Sequence, residues 1–253
     1  MRFVRYQTEE KSARYGWLLE KKIGDIEGDL FGEFRRLDAT LPLEEATLLA
    51  PCEPSKIICV GRNYAAHAKE HNAEVPEIPL IFLKPPSTII NPGDAIILPP
   101  QSQQVEHEGE LVIVIGKRGR NIIAEEAKDH VLGYTIGNDV TARDLQNADR
   151  LWTRGKGFDT FAPFGPWIDT EFDPSDAVLT CRVNGQMRQM ASTRDMVFSV
   201  GTIIAFISSV MTLEPGDLIF TGTPAGVGAL ADGDEVTVDI EGLGVLSYPV
   251  KEA

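Results

Sequence analysis

Three carboxylates carry the most legible chemistry of this chain. Glu108 and Glu110 lie in Glu106-His107-Glu108-Gly109-Glu110, and Asp139 lies in Gly137-Asn138-Asp139. The apolar run Leu111-Val112-Ile113-Val114-Ile115 follows Glu110 and reads as a buried strand. Side chains two apart on a strand share a face, so Glu108 and Glu110 project together at the mouth of that strand. Like charges placed in this way repel unless a cation lies between them. A hard divalent ion coordinated by oxygen answers that repulsion, with Asp139 as a third ligand. A donor set without His or Cys selects Mg²⁺, Mn²⁺ or Ca²⁺ over Zn²⁺. Acidic pairs also end as solvated strand edges, and Glu106, of the same parity, makes the pair less distinctive. The apolar run is what favours a metal site. On a regular strand His107 points away from Glu108 and Glu110 and is not counted as a ligand.

Four further constellations accompany the acids. In Gly61-Arg62-Asn63-Tyr64-Ala65-Ala66-His67-Ala68-Lys69-Glu70, a helix puts His67 and Glu70 on one face. A carboxylate beside an imidazole fixes its tautomer and makes a general base near neutral pH. Spacing alone favours an inconsequential surface pair. His71, four residues after His67, would complete a helical two-His metal site, a reading set aside for want of a third nitrogen or sulfur donor. Thr141-Ala142-Arg143-Asp144-Leu145-Gln146 either aims Arg143 or Gln146 at a ligand or simply begins a helix. Arg154-Gly155-Lys156-Gly157 lets the backbone approach a ligand beside Lys156, or is a flexible basic turn, and it lacks the spacing of a nucleotide-binding P-loop. In Phe220-Thr221-Gly222-Thr223-Pro224-Ala225-Gly226-Val227-Gly228, N–H groups and Thr223 can hold a carboxylate, although a lone Gly-rich connection is common.

The elements that must position these groups are mostly strands. Phe3–Tyr6, Tyr15–Leu19 and Lys22–Asp25 read as a small N-terminal sheet, with a short helix over Leu43–Leu49. Ala50-Pro51-Cys52-Glu53-Pro54-Ser55 reads as a linker, which divides the chain into residues 1–52 and 53–253. Ile57–Val60 is a buried strand, and Tyr64–His71 is helical. Residues 76–100 hold seven prolines and must be irregular. Ala124–Val131 reads as a helix closed by Gly133, and Ser199 caps a helix running through Met211. The C-terminal part is again β. Regular strand–helix alternation is absent, so a Rossmann fold or a TIM barrel fits poorly and a β-dominated mixed fold fits better.

The net charge of −14 excludes nucleic acid and anionic membranes as partners. The three scattered cysteines read as free buried thiols in a reducing cytoplasm. The N-terminus lacks the apolar stretch of a signal peptide, and Val197–Met211 is too short for a membrane span.

Taken in order, G-R-N-Y-x-x-H-x-x-E, F-L-K-P, E-x-E-L, G-x-x-x-x-N-D-x-T-A-R-D-x-Q, G-K-x-F-D and G-D-x-I-x-T-G-T-P-x-G-V-G resemble the fumarylacetoacetate hydrolase family from Ile57 to the C-terminus. The resemblance implies a β-dominated α+β fold, a mixed β-sandwich roll around a Mg²⁺ or Mn²⁺ site with a small N-terminal α+β domain, and a homodimer. It carries the metal ligands onto Glu108, Glu110 and Asp139, and a catalytic dyad onto His67 and Glu70. The family's lysine falls on Lys156, its glutamine on Gln146, and its carboxylate-holding threonine on Thr223. Arg62, Tyr64, Lys84 and Arg143 fall on the substrate side. His107 stands where many relatives carry Tyr. The implied chemistry is that of 2-oxo or β-diketo acids through a metal-stabilised enolate. The favoured reaction is hydrolytic C–C cleavage of an acylpyruvate or fumarylpyruvate-type substrate. The alternatives are a 2-hydroxyhepta-2,4-diene-1,7-dioate isomerase or a 5-carboxymethyl-2-oxo-hex-3-ene-1,7-dioate decarboxylase of aromatic catabolism, or an oxaloacetate decarboxylase. A catalytically silent metal-binding protein of the same fold would lack a ligand or a dyad member, and none is missing.

Overall fold

The computed structural model describes residues 1–9 and 12–253. The apolar run expected to be a strand is Gly109–Ile115, and it is buried on both faces. Leu111, Ile113 and Ile115 enter one hydrophobic cluster, while Val112 and Val114 enter another. This is the period-two geometry of a central strand. On one side the strand pairs antiparallel with Val131–Asn138, on the other with Leu218–Phe220. Leu218–Phe220 pairs in parallel with Ile57–Gly61, and the edge strand Leu80–Lys84 closes that side of the sheet.

The larger cluster lies between this sheet and a second, five-stranded one. The second sheet contributes Leu179, Cys181, Val236, Val238 and Ile240. The helix Val200–Val210 adds Ile203, Ile204 and Ile207, and the side chain of Ser199 caps it by accepting the Thr202 N–H. The molecule is therefore a β-dominated sandwich, and among the described residues its one long helix, Val200–Val210, serves the core. Among the described residues no helix is long and apolar enough to cross a membrane.

The N-terminal strands do not form a sheet of their own. Arg2–Gln7 pairs with Phe164–Asp169, placing Arg2 opposite Asp169 and Phe3 opposite Ile168. The large sheet thus runs on through Arg14–Leu19 and Lys22–Gly28 to Phe34–Pro42. The helix expected over Leu43–Leu49 is instead a 3₁₀ turn at Leu43–Glu45 followed by a strand at Thr47–Leu49. That strand pairs with Arg5–Gln7, and the tertiary ladder outweighs a local helix preference too short to sustain itself. The helix expected over Ala124–Val131 is likewise a 3₁₀ segment, Ala124–His130.

Candidate metal centre and active site

Glu110 is the second residue of the buried strand, and Glu108 sits in the break that separates that strand from Val105–His107. Two bonds hold that break open. The Glu108 N–H donates to Asn138 Oδ1 at 2.8 Å, and the Asp139 N–H donates to Glu108 O at 2.9 Å. Pairing with Val131–Asn138 therefore delivers Asp139 to the same end of the sheet. One oxygen from each of Glu108, Glu110 and Asp139 lies within 4.8 Å of the others, and all three residues are buried.

The surrounding charges define what this cluster lacks. Four buried carboxylates (Glu106, Glu108, Glu110 and Asp139) stand against three buried cations, Lys84, Arg143 and Lys156. Lys156 Nζ donates to Glu108 Oε2 and to Asp139 Oδ2, each at 2.7 Å. Lys84 Nζ donates to Asp139 Oδ1 and, at 3.1 Å, to Val140 O. Arg143 donates from Nε to Glu106 Oε2 at 2.7 Å, from Nη1 to Gln146 Oε1 at 2.6 Å, and from Nη2 to Glu108 Oε1. Burial would raise the Glu108 carboxyl, but Lys156 and Arg143 overcome it and hold the group well below the usual carboxylate range. Glu110 is treated oppositely. Burial, then the charges of Asp139 and Glu108, push it well above that range. Among the described residues no cation pairs with Glu110, and its Oε2 accepts the Gly222 N–H at 2.7 Å. An all-oxygen donor set with one buried acid short of a counter-charge fits a hard divalent cation.

Across the cavity stands the short helix Ala65–Glu70. Arg62, at φ 59°, turns the chain out of the strand Ile57–Gly61 toward it, in the left-handed region that non-glycine residues rarely adopt. Asn63 fixes the turn, donating to Thr221 O at 2.7 Å and accepting the Phe198 N–H at 2.7 Å. At the far end of the helix, Glu70 accepts the Gly226 N–H at 3.0 Å. His67 Nδ1 lies 3.4 Å from Glu70 Oε2. A carboxylate only accepts, so the proton sits on Nδ1 and Nε2 keeps its lone pair. Burial lowers the His67 pKa against the opposing pull of Glu108, which favours the neutral ring.

The acids, His67, Arg62, Gln146, Trp152 and Thr223 line one cavity of about 230 Å³. That is smaller than the roughly 300–1,000 Å³ of pockets for drug-sized ligands and suits a small organic acid. The structure thus gathers Glu108, Glu110, Asp139, His67, Glu70, Gln146, Lys156 and Arg143 around one space. Lys84 and Arg143, expected on the substrate side, are both paired with buried carboxylates, and Arg143 also lines the cavity. Tyr64 is buried with its hydroxyl unpartnered. The Thr223 hydroxyl donates to Gly109 O at 2.9 Å.

The sequence reading missed Gln189. Its amide nitrogen donates to Thr223 Oγ1 and Pro224 O, each at 2.7 Å, and its oxygen accepts the Gly109 N–H at 3.0 Å. Gln189 therefore bolts the glycine-rich loop to the residue between the two glutamates. No local signal marks it, because its partners lie 34 and 80 residues away. The same oxygen lies 3.2 Å from His107 Nδ1, and His107 is buried on the side away from the acids, beside Cys181.

The sequence and the fold place this chain in a known protein family. The chain belongs to the fumarylacetoacetate (FAA) hydrolase C-terminal family, whose model matches residues 56–251, and residues 1–51 match an Rv2993c-like N-terminal family. Among relatives, the chain is 48% identical over 219 residues to a Bos taurus protein named oxaloacetate tautomerase FAHD2B, mitochondrial, covering 81% of this chain and 70% of that one. Among solved structures, it is similar to a 2-hydroxyhepta-2,4-diene-1,7-dioate isomerase from Mycobacterium marinum, with TM-score 0.92, 45% identity, and 100% and 98% of the two chains covered. It is also similar to a maleylpyruvate hydrolase from Sphingobium sp. SYK-6 in complex with manganese(II) and pyruvate, with TM-score 0.83, 33% identity and both chains fully covered.

Proposed function

We propose that this chain is a divalent-metal-dependent enzyme that handles 2-oxo or β-diketo acids as enolates, with Glu108, Glu110 and Asp139 holding Mg²⁺ or Mn²⁺. The observation that carries this reading is the convergence of the three acids, oxygens within 4.8 Å, on the same small cavity as the His67–Glu70 pair. When bound, such an ion supplies Lewis-acid stabilisation of the negative charge that develops on substrate oxygens.

The chain's own residues do the rest. Nδ1–H of His67 stays on Glu70, so Nε2 is the atom that takes up and returns a proton, a role worth roughly 10²–10⁴-fold. Arg143 occupies the Gln146 oxygen, which leaves the amide N–H₂ of Gln146 to orient a water or a carbonyl. Arg62 at the cavity wall, with Lys156 behind the acids, draws an organic anion toward a protein of net charge −14. Thr223 holds a substrate carboxylate by exchanging its bond to Gly109 O for one to the substrate. In the hydrolytic reading a water gives its proton to His67 and adds to the distal ketone of an acylpyruvate or fumarylpyruvate-type substrate. The C–C bond then breaks, and the departing fragment keeps the electron pair as an enolate until His67 returns the proton.

A second reading, isomerisation or keto–enol tautomerisation of a 2-oxo dicarboxylic acid, needs only the proton transfer. The comparisons favour it by name, because the tautomerase and isomerase relatives are 48% and 45% identical to this chain against 33% for the maleylpyruvate hydrolase. One set of assays separates the two. Acetylpyruvate with Mg²⁺ should yield pyruvate and acetate if the chain hydrolyses, and enol oxaloacetate should relax faster to the keto form if it tautomerises. Pyruvate and CO₂ from oxaloacetate would instead identify a decarboxylase. EDTA should abolish whichever activity is found, and turnover that survives EDTA would overturn the mechanism.

A further inference from the structure

Two histidines of the same cavity wall, His67 and His71, belong to a second, chemically different cluster. His67, Glu70 and His71 offer donor atoms that all lie within 4.8 Å of one another. The two imidazoles meet edge to face, ring centroids 4.7 Å apart at 73°. His67 Nδ1 and Glu70 Oε2 are already 3.4 Å apart, the edge of a tetrahedron with bonds of about 2.1 Å. His71 ends the helix and is exposed, so its ring can turn to complete the set. In the sequence, the two histidines lacked a third donor. The fold supplies one by pinning Glu70 to the Gly226 N–H on the same side of the helix.

We propose that His67, Glu70 and His71 form a second cation site, selective for borderline metals such as Zn²⁺, whose occupancy withdraws His67 from proton transfer. Two imidazole nitrogens and one carboxylate oxygen, with a coordination position left open to the cavity, match the preferences of Zn²⁺ and Cu²⁺ and are poor for Mg²⁺. The three buried acids have the opposite bias, being all oxygen. One cavity thus sorts two classes of cation onto opposite walls, a hard ion on the sheet and a borderline ion on the helix. A borderline ion on Nδ1 would drive the His67 ring proton onto Nε2, the atom that takes up protons, and would occupy Glu70, without displacing the hard one. The inhibitory consequence rests on the proposed role of His67, but the binding site does not.

Calorimetric titration of Zn²⁺ into the full chain held in saturating Mg²⁺ tests the site. One Zn²⁺ should bind, with an affinity that does not change when Mg²⁺ is raised further. His71→Ala and His71→Asn should each weaken that affinity by at least about tenfold, since a lost ligand costs no less than a lost supporting bond. Co²⁺ in place of Zn²⁺ should give a visible absorption band that both variants lose. Zn²⁺ should suppress turnover at the concentrations at which it binds. A Zn²⁺ isotherm that shifts with Mg²⁺, an unchanged affinity in both His71 variants, or no binding at all would overturn the site. Zinc bound through His71 with turnover intact would leave the site standing and remove His67 as the proton carrier.

Discussion

The three buried cations beside the acids, Lys84, Arg143 and Lys156, are each committed to a partner, which alters what a substitution there would do. Lys156 is buried between Glu108 and Asp139. Lys156→Met would leave two carboxylates facing each other without their shared cation, and breaking such a buried pair costs about 3–5 kcal/mol. The variant should melt well below the parent in EDTA and recover part of the loss in Mg²⁺, which restores positive charge to the cluster. Its kcat/KM should fall by about 10²-fold or more. Lys251 is exposed on the C-terminal strand, and Lys251→Met should change neither quantity. Equal effects from the two, by melting and steady-state kinetics, would contradict the placement of Lys156. The residue scale is also where the sequence was easiest and hardest to read. Glu108 and Glu110 were legible because they lie at the head of a local apolar run, although Glu108 falls in a break and not on the regular strand that strict parity assumes. Arg143 and Lys84 looked like substrate cations because nothing local reveals that Glu106, Glu108 and Asp139 claim them. Gln189 was invisible because its whole role is long-range hydrogen bonding.

At the scale of elements, the helix Ala65–Glu70 is held at both ends by one loop. Asn63, just before the helix, bonds to Thr221 O, and Glu70 at its end accepts the Gly226 N–H. Gly226 has φ 100°, and a Cβ there would meet the Arg188 carbonyl oxygen at 2.0 Å. Gly226→Ala must therefore move the loop, and strain of this kind costs about 1–3 kcal/mol. Its main effect should be a lower kcat, as Glu70 loses its anchor and His67 its fixed tautomer, with metal affinity kept. Kinetics and Mg²⁺ titration read the two separately, and a loss of metal affinity with kcat intact would contradict the coupling. Strands were largely legible at this scale. Ile57–Gly61, Gly109–Ile115 and the C-terminal strands stand where apolar runs bounded by Gly and Pro put them. Leu43–Leu49 was misread because Leu-Glu-Glu-Ala carries a helical pattern over barely one turn, and pairing with Arg5–Gln7 decides the outcome.

At the scale of the molecule, all five tyrosines share one electrostatic fate. Burial first, and nearby carboxylates in several cases, push Tyr6, Tyr15 and Tyr134 up to about 12 and hold Tyr64 and Tyr248 higher still. Unfolded phenols ionise near about 10. The folded state therefore keeps protons that the unfolded state releases. This contribution to stability is whole below pH 10 and is lost as pH rises through the folded values. Phenolate absorbance near 295 nm should stay low past pH 10 and then appear together with loss of the far-UV signal. A gradual rise from pH 10 in a protein that remains folded would contradict this burial.

The seam where Arg2 and Phe3 meet Asp169 and Ile168 has a consequence for any shortened form of the chain. Trimming the first fifty or so residues would strip Phe164–Asp169 of its neighbour and leave a row of main-chain donors and acceptors open at the edge of the remaining sheet. An edge of that kind recruits other strands. The leading segment is therefore best regarded as the selvedge of the sheet, which keeps the rest of it from fraying into aggregates.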